Sequence, residues 1–282
     1  MERRSFLKAV SAASAASILP SPLSEEKQGA TFEQSDVEGI GLGITVCDTL
    51  SNGFFGSQLI SVFGPEGAIN EALLIHTFLY QLIALRKRVD YIGSTGSLKR
   101  WEQSYLRRLE YNTTDEMRRA LNKSGVTDNL QIIDIDLGDP ANKNWKDYIV
   151  RVKDKHPDSI IVDDVELIEE FGREKSMVRK LKQLAKDVHA PVFIHAALDG
   201  KRSHRYFSQL NLRNDFRRWS DVLISVVPKN VIDFKVDEIT VGKRFLLDMK
   251  LIGVSCPCAR HKGYGANLSV EFVDYDMRFT SL

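Results

Sequence analysis

The chain has 282 residues, of which 43% are hydrophobic and 27% are charged, and its formal net charge is +1. This composition suits a folded protein with a sizeable core, and it excludes a global charge that would drive the chain onto nucleic acid or a membrane. The three cysteines, Cys47, Cys256 and Cys258, cannot form a disulfide framework. Cys256 and Cys258 with His261 fall short of a structural zinc site, which normally needs four well-spaced ligands.

Residues 1–28 differ in composition from the rest of the chain. A charged start with Arg3 and Arg4 precedes a short, mildly apolar run rich in Ala and Ser, which ends at Pro20. This layout is typical of an export signal, and the paired arginines resemble a twin-arginine signal, which carries folded proteins across the bacterial membrane. The alternative is a basic tail, since no small-x-small cleavage site follows the apolar run. We expect a periplasmic location if the signal is used and a cytoplasmic one otherwise.

The apolar run near the N-terminus is too short to span a bilayer permanently, so we expect no permanent membrane span. A polar linker over residues 29–44 separates this region from a domain over residues 45–282. Within that domain, strand-like and helical patterns alternate.

Apolar runs between turn signals predict the strands, which are residues 58–63, 89–93, 130–136, 159–163, 191–196, 221–227, 246–254 and 267–273. Helical periodicity predicts the helices, which are residues 72–88, 98–109, 114–123, 144–155 and 173–188. Several strands are apolar throughout, as is typical of a sheet covered on both faces. The sequence therefore predicts an α/β fold with a mostly parallel sheet, flanking helices and an antiparallel C-terminal extension.

The first strand and helix of this domain have the layout of a nucleotide-binding turn. The turn between them is Gly64, Pro65, Glu66 and Gly67. A phosphate-cradling P-loop has this strand–turn–helix layout and also needs a second Gly, a Lys and a Ser or Thr. Those places hold Ile69, Asn70 and Glu71. No ammonium and no hydroxyl are supplied, and Glu71 is expected to repel a phosphate, so either the likeness is accidental or a P-loop has lost its chemistry.

Several short segments resemble, in the same order, the motor domain of DnaB-type replicative helicases. They are Thr45 to Gly64, Val89 to Leu106, Ser159 to Asp164, Leu184 to Ile194, Ser208 to Ile224 and Val270 to Phe279. The resemblance implies a RecA-like fold, ATP and Mg²⁺ as cofactors, DNA as a partner and a homo-oligomeric ring. The segment that ends in Asp163 and Asp164 looks like the Walker B strand of that family.

Most of the chemistry that the resemblance implies is missing from this chain. The phosphate-binding Lys and metal-binding Thr fall on Asn70 and Glu71, and the catalytic Glu falls on Thr95. The polar sensor residue falls on Ala197, whereas the Walker B carboxylate is kept as Asp163. Phosphoryl transfer depends on positioning and charge stabilisation, and losing one such contact typically costs ~3 kcal/mol or more. We expect a pseudo-ATPase with no cofactor, which binds ATP and Mg²⁺ only if the degenerate turn still cradles phosphate.

Paired carboxylates such as Asp163 and Asp164 can hold a metal, but without phosphate ligands we expect none here. The alternative is that Asp163 is a hydrogen-bonding group at the end of a strand. His76 and His195 lie in apolar segments and are expected to be core histidines.

The stretch from residue 201 to residue 218 is locally basic and is interleaved with aromatic residues. Its cations are Lys201, Arg202, Arg205, Arg213, Arg217 and Arg218. In the resembled family this region includes a DNA-contacting loop, and clustered Arg with aromatics can neutralise phosphates and stack bases. The alternative is a solvated face or a surface for a protein partner.

Arg260 and Lys262 lie near the place where the resembled family supplies a cation to the nucleotide of a neighbouring subunit. The alternatives are subunit-interface cations or a solvated turn. The leading hypothesis is a helicase-related pseudo-ATPase that acts by binding or scaffolding, with a second copy or another protein as partner. The alternatives are an active DnaB-type helicase or ATPase, and an exported binding or structural protein on a repurposed RecA fold.

Overall fold

A computed structural model describes residues 32, 36–65, 67–93, 95–134, 152, 155–163, 177–195, 214–253 and 266–282. Its strands are β1 (Leu59–Phe63), β2 (Val89–Gly93), β3 (Leu130–Asp134), β4 (Ser159–Val162), β5 (Val192–His195), β6 (Val222–Val236), β7 (Ile239–Gly253), β8 (Ala266–Val273) and β9 (Arg278–Ser281). Its α-helices are α1 (Thr45–Ser51), α2 (Gly67–Leu79), α3 (Thr95–Arg100), α4 (Glu102–Arg108), α5 (Thr114–Lys123), α6 (Met177–Val188) and α7 (Asn214–Trp219). A π-helix (Tyr80–Ala84) continues α2, and a 3₁₀ helix (Val126–Asn129) leads into β3.

The described strands form one sheet in the order β3-β2-β4-β5-β1-β6-β7-β8-β9. Strands β1 to β6 pair in parallel, so that β1 lies between β5 and β6. Strands β6 to β9 pair in antiparallel fashion. The predicted fold class, a mostly parallel sheet with an antiparallel C-terminal extension, is confirmed.

Helices cover both faces of the sheet, as the apolar strands predict. On one face α2 packs among α4, α5 and the aromatic side chains of β8 and β9. On the other face α6 and α7 pack against β1, β4 and β5. Helix α2 is buried at every residue from Ile69 to Leu79, as expected of a helix that is apolar on all sides.

The boundaries of two predicted helices differ from those observed. Helix α2 begins at Gly67 rather than at residue 72, because the Gly of the turn also serves as the first helical residue. The helical conformation ends at Ala84 rather than at residue 88. The helix predicted at residues 98–109 is instead two helices, which meet at Trp101.

The hairpin of β6 and β7 is much longer than predicted, because its outer half mixes polar and apolar residues without a clean alternation. Helix α5 has the predicted bounds, Thr114–Lys123. The helix predicted at residues 144–155 lies almost entirely outside the described residues. Among the described helices, none is both long and apolar enough to cross a membrane.

Residues that precede α1 also belong to the core. Phe32, Leu42 and Ile44 are buried. Phe32 packs against the rings of His76 and Tyr80, at centroid distances of 5.6 and 5.8 Å. The segment before α1 is therefore held against α2 and its π-helical continuation.

Candidate functional site

The carboxyl ends of β1 and β5 lie side by side where the chain enters α2. In open α/β sheets, ligands bind outside the carboxyl ends of the strands, where the strand order changes direction. That place is occupied here by β1, whose neighbours β5 and β6 come much later in the chain. The turn from Gly64 to Gly67 and the first residues of α2 therefore form the candidate site, which we call the β1–α2 crevice.

Gly64 lies too close to β6 for any other residue. A Cβ atom on Gly64 would stand 2.1 Å from the carbonyl oxygen of Val226. The turn is therefore pressed against β6, and only the absence of a side chain allows the chain to pass.

Asn70 occupies the place of the phosphate-binding Lys, and its side chain is turned into the protein. It is fully buried, and its Nδ2 donates to the carbonyl oxygen of Gly64 at 3.3 Å. The same Nδ2 lies 3.4 Å from Nε2 of His195 at the end of β5. No described residue donates a hydrogen bond to Asn70 Oδ1, which is buried beside Gly64. The amide therefore ties α2 to the turn and to β5.

Glu71 occupies the place of the metal-binding Thr and forms an ion pair. Its carboxylate accepts hydrogen bonds from Arg100 Nη1 at 2.8 Å and from Trp101 Nε1 at 3.0 Å. The Glu71 side chain is 10% exposed, whereas the Arg100 side chain is 59% exposed. The carboxylate is thus balanced by a cation at the junction of α3 and α4, and the repulsion of a phosphate is weaker than an isolated Glu71 would produce.

Asp163, the Walker B-like residue, directly follows β4 and is buried. Its backbone N–H donates to the carbonyl oxygen of Ile92 at 2.8 Å, which continues the pairing of β4 with β2. Burial, and then the negative charge of Asp163, raise the pKa of the Tyr91 hydroxyl well above its usual value. Tyr91 therefore stays protonated and cannot serve as a base near neutral pH.

The other predicted site residues are only partly within the described structure. Pro65 is half-buried, and Gly67 is exposed as the first residue of α2. The residues that lie outside the description are Glu66, Asp164, Lys201, Arg202, Arg205, Arg213, Arg260 and Lys262, together with the side chain of Arg217. Ala197, Cys256, Cys258 and His261 also lie outside it, whereas Thr95 is described only as the first residue of α3.

Arg218 is the exposed cation of the basic stretch that the structure describes in full. Its guanidinium lies 5.1 Å from the ring centre of Trp219, and that of Arg179 in α6 lies 5.4 Å from the same ring. Two arginines thus flank one tryptophan on this face. The sequence indicated Arg218 and Trp219 but missed Arg179, which is distant along the chain.

Arg100 and Trp101 are the other residues that sequence reasoning missed. They contact Glu71 from the junction of α3 and α4, and no local pattern links positions so far apart in the chain. Among the described residues, no three His, Cys, Asp or Glu side chains are grouped so that they could hold a metal ion.

The sheet order, the central buried helix and the crevice at the end of β1 define a RecA-like α/β protein. The fold is shared with a KaiC-like protein from the hyperthermophilic archaeon Pyrococcus horikoshii OT3, whose crystal structure matches with a TM-score of 0.56. The match has 14% sequence identity and covers 88% of this chain and 100% of that chain. At this identity the similarity concerns the fold alone. No protein-family model and no curated protein sequence match the chain.

Proposed function

We propose that this RecA-like chain is a helicase-related pseudo-ATPase that acts by binding a partner, as a scaffold or assembly protein, and does not hydrolyse ATP. The observation that supports the proposal is the direction of the Asn70 side chain. In place of an ammonium that projects into the turn, the chain has a buried amide whose donor group is engaged with Gly64.

The polar groups of the β1–α2 crevice match a phosphate poorly. Asn70 Oδ1 is a buried hydrogen-bond acceptor beside the turn, and a phosphate oxygen has no proton to donate to it. Glu71 brings a carboxylate where a P-loop has a hydroxyl, and its ion pair with Arg100 holds it in place. Since phosphoryl transfer relies on positioning and charge stabilisation, this combination opposes both nucleotide binding and catalysis.

The experiment is calorimetric titration of the full chain with ATP and ADP, with and without Mg²⁺, together with an assay of phosphate release. We expect no binding at millimolar nucleotide and no hydrolysis. The double variant Asn70→Lys with Glu71→Thr supplies the missing ammonium and hydroxyl and also releases Arg100, so we expect it to gain measurable binding. Circular dichroism of each variant checks that the fold is intact.

The second candidate function is an active ATP-dependent helicase or ATPase of the DnaB type. It is favoured by the backbone N–H groups at the start of α2, a thirteen-residue helix whose N-terminus attracts anions, and by the buried Asp163. Tight Mg²⁺-dependent binding with hydrolysis or DNA unwinding that Asp163→Asn abolishes would establish this function and refute the first.

A DNA partner is supported by the exposed face that carries Arg179, Arg218 and Trp219. Arginines beside an aromatic ring can neutralise phosphates and stack bases. Fluorescence anisotropy with a labelled single-stranded oligonucleotide tests this role. We expect Arg218→Glu to weaken binding, and the exposed Arg119→Glu in α5 is the matched control on another helix.

A further inference from the structure

The hairpin of β6 and β7 extends beyond the parallel sheet. Strand β1 pairs with β6 only from Ile60 to Phe63, opposite Val222 to Ser225. No described strand pairs with the same side of β6 beyond Ser225. From Lys229 to Val236, every residue of β6 except Phe234 is exposed. Within the part of the chain that the structure describes, the outer half of β6 is therefore an open edge, with backbone groups available for another strand.

The open edge exposes several large apolar side chains. The exposed fractions are 45% for Val231, 49% for Ile232 and 40% for Val236. On β7, Ile239 is 67% exposed and Val241 is 37% exposed. An exposed, long and apolar edge strand is a surface that natural proteins cover or use for association.

We propose that this edge pairs with the same edge of a second copy of the chain. Residues 232–236 of the two copies run antiparallel about a two-fold axis at Phe234, and together the two hairpins form a continuous four-stranded sheet. A two-fold contact of this kind is isologous and closes at the dimer, unlike the head-to-tail contacts that build rings. This pairing of two edges is independent of whether the β1–α2 crevice binds nucleotide.

The side chains of the edge are complementary to themselves in this arrangement. Asp233 lies opposite Lys235 of the second copy, and Lys235 lies opposite Asp233 of that copy, so two ion pairs flank the axis. Ile232 lies opposite Val236 of the second copy on the other face of the sheet. Within one hairpin Val236 is already opposite Ile239. An apolar row thus crosses from Ile239 through Val236 to Ile232 of the second copy.

Irregularities on the two strands favour this register over its neighbour. The pairing of β6 with β7 shifts register at two places. Between Pro228 and Asn230 the unpaired residue is Lys229 of β6, whereas between Phe234 and Lys235 it is Val241 of β7, so that β6 itself runs without a bulge from Asn230 to Val236. A dimer axis at Val231 would bring Pro228 and Lys229 into the ladder, where Pro has no N–H to donate. With the axis at Phe234, both residues lie beyond the paired segment.

The charges of the hairpin also favour a second copy of the chain over other binding partners. The tip of the hairpin carries Asp237 and Glu238, which would be repelled by the anionic surface of a membrane. Asp233 bonds to Lys243 of its own hairpin at 2.9 Å, so Lys243, Asp233 and Lys235 of the second copy alternate in sign across the strands. Such a row selects a strand with a cation at one defined position, which the chain itself supplies.

The test uses analytical ultracentrifugation of the full chain, whose mass is 31.9 kDa. We expect the parent to form a dimer with a roughly micromolar dissociation constant, because the paired segment is short for a stable interface. Lys235→Asp puts two acids opposite each other on both sides of the axis, and Asp233→Lys does the same with two cations. Each variant alone is expected to dimerise at least about tenfold more weakly than the parent.

An equimolar mixture of the two variants restores both ion pairs, so we expect it to form a heterodimer with parent-like affinity. Lys229→Asp, a charge reversal on the same strand outside the paired segment, is the matched control and is expected to dimerise like the parent. A monomeric parent at about 100 μM, a parent that binds anionic vesicles as a monomer, or a dimer unaffected by Lys235→Asp would overturn the inference. A dimer disrupted by Lys229→Asp would overturn it as well, since Lys229 lies outside the segment that pairs about Phe234.

Discussion

At the scale of single residues, His76 shows how burial decides the chemistry of a side chain. It is fully buried in α2, and Nε2 lies 3.0 Å from the carbonyl oxygen of Gly43. The rings of Phe32 and Phe279 pack against it at 5.6 and 5.1 Å. Burial, and then the nearby positive charge of Arg108, lower the pKa of His76 to about 3. The prediction of a core histidine is confirmed here, whereas His195 is only half-buried.

His76 makes the stability of the fold depend on pH. Its pKa in the folded state is about 3, below the ordinary value of 6.5, so the unfolded chain takes up the proton first as the pH falls. The contribution of the neutral His76 side chain to the free energy of unfolding is therefore fully present above about pH 6.5. Below that pH it is lost progressively, at about 1.4 kcal/mol per pH unit. We predict that His76→Gln, although less stable at neutral pH, loses this part of the slope between pH 6 and pH 5.

Urea denaturation followed by circular dichroism at each pH measures the slope. The matched control is His156→Gln, which replaces an exposed imidazole instead of a buried one. Equal slopes for the parent and His76→Gln would contradict the assignment.

The substitutions at Asn70 and Glu71 could be read from the sequence, because the spacing of a P-loop is local. The contacts that the Asn70 and Glu71 side chains make could not be predicted from the sequence. Gly64 and His195 receive the Asn70 amide, and Arg100 holds Glu71, through the folding of β5 and α3 around α2. Sequence reasoning identified what is missing from the crevice but not what replaces it.

At the scale of elements, the segment before α1 is held by one carboxylate and one glycine. Asp48 in α1 accepts hydrogen bonds from the backbone N–H groups of Leu42 at 2.6 Å and Gly43 at 2.9 Å. Gly43 has a φ of +83° and packs directly on Tyr80 and His76. The loop thus needs both a left-handed backbone and an absent side chain at one position.

We predict that Gly43→Ala destabilises the fold by about 2 to 4 kcal/mol, because strain in φ and a steric clash act together. Its Cβ would stand 2.6 Å from Tyr80 Cγ and 2.9 Å from His76 Nε2. Gly125 is the matched control, with a φ of +71° and its nearest neighbour, Asp128 Oδ2, at 3.9 Å. We therefore expect Gly125→Ala to lower the free energy of unfolding by about 1 kcal/mol, through backbone strain alone. Equal losses in urea denaturation would show that the Tyr80 contact adds nothing.

The strands whose bounds could be predicted from the sequence are those that are buried along their whole length. Strands β2 and β4 are buried throughout and were located within one residue of their observed bounds. The outer halves of β6 and β7 leave the core and lose the regular burial pattern that marks a strand, so the sequence placed their inner ends only. The part of the hairpin that the sequence missed is the part that carries the proposed dimer interface.

At the scale of the whole molecule, the alternation of strands and helices was sufficient for the fold class, since βαβ units specify a parallel sheet. The proposed loss of ATP hydrolysis and the resemblance of the N-terminus to a twin-arginine signal are compatible with each other. A protein outside the cytoplasm has no supply of ATP, and a twin-arginine pathway carries proteins that have already folded. The ion pair of Glu71 with Arg100 forms within the folded domain, and a twin-arginine pathway would export that domain intact.

This combination predicts that residues 1–35 direct a folded reporter protein out of the bacterial cytoplasm. Because twin-arginine recognition depends on the arginine pair, replacing Arg3 and Arg4 together with Lys should keep the reporter inside while preserving the charge of the segment. The measurement is reporter fluorescence in the periplasmic fraction. A reporter that stays in the cytoplasm with either sequence would identify the segment as a basic tail, and the proposed scaffold function would then be tested in the compartment where ATP and DNA are present.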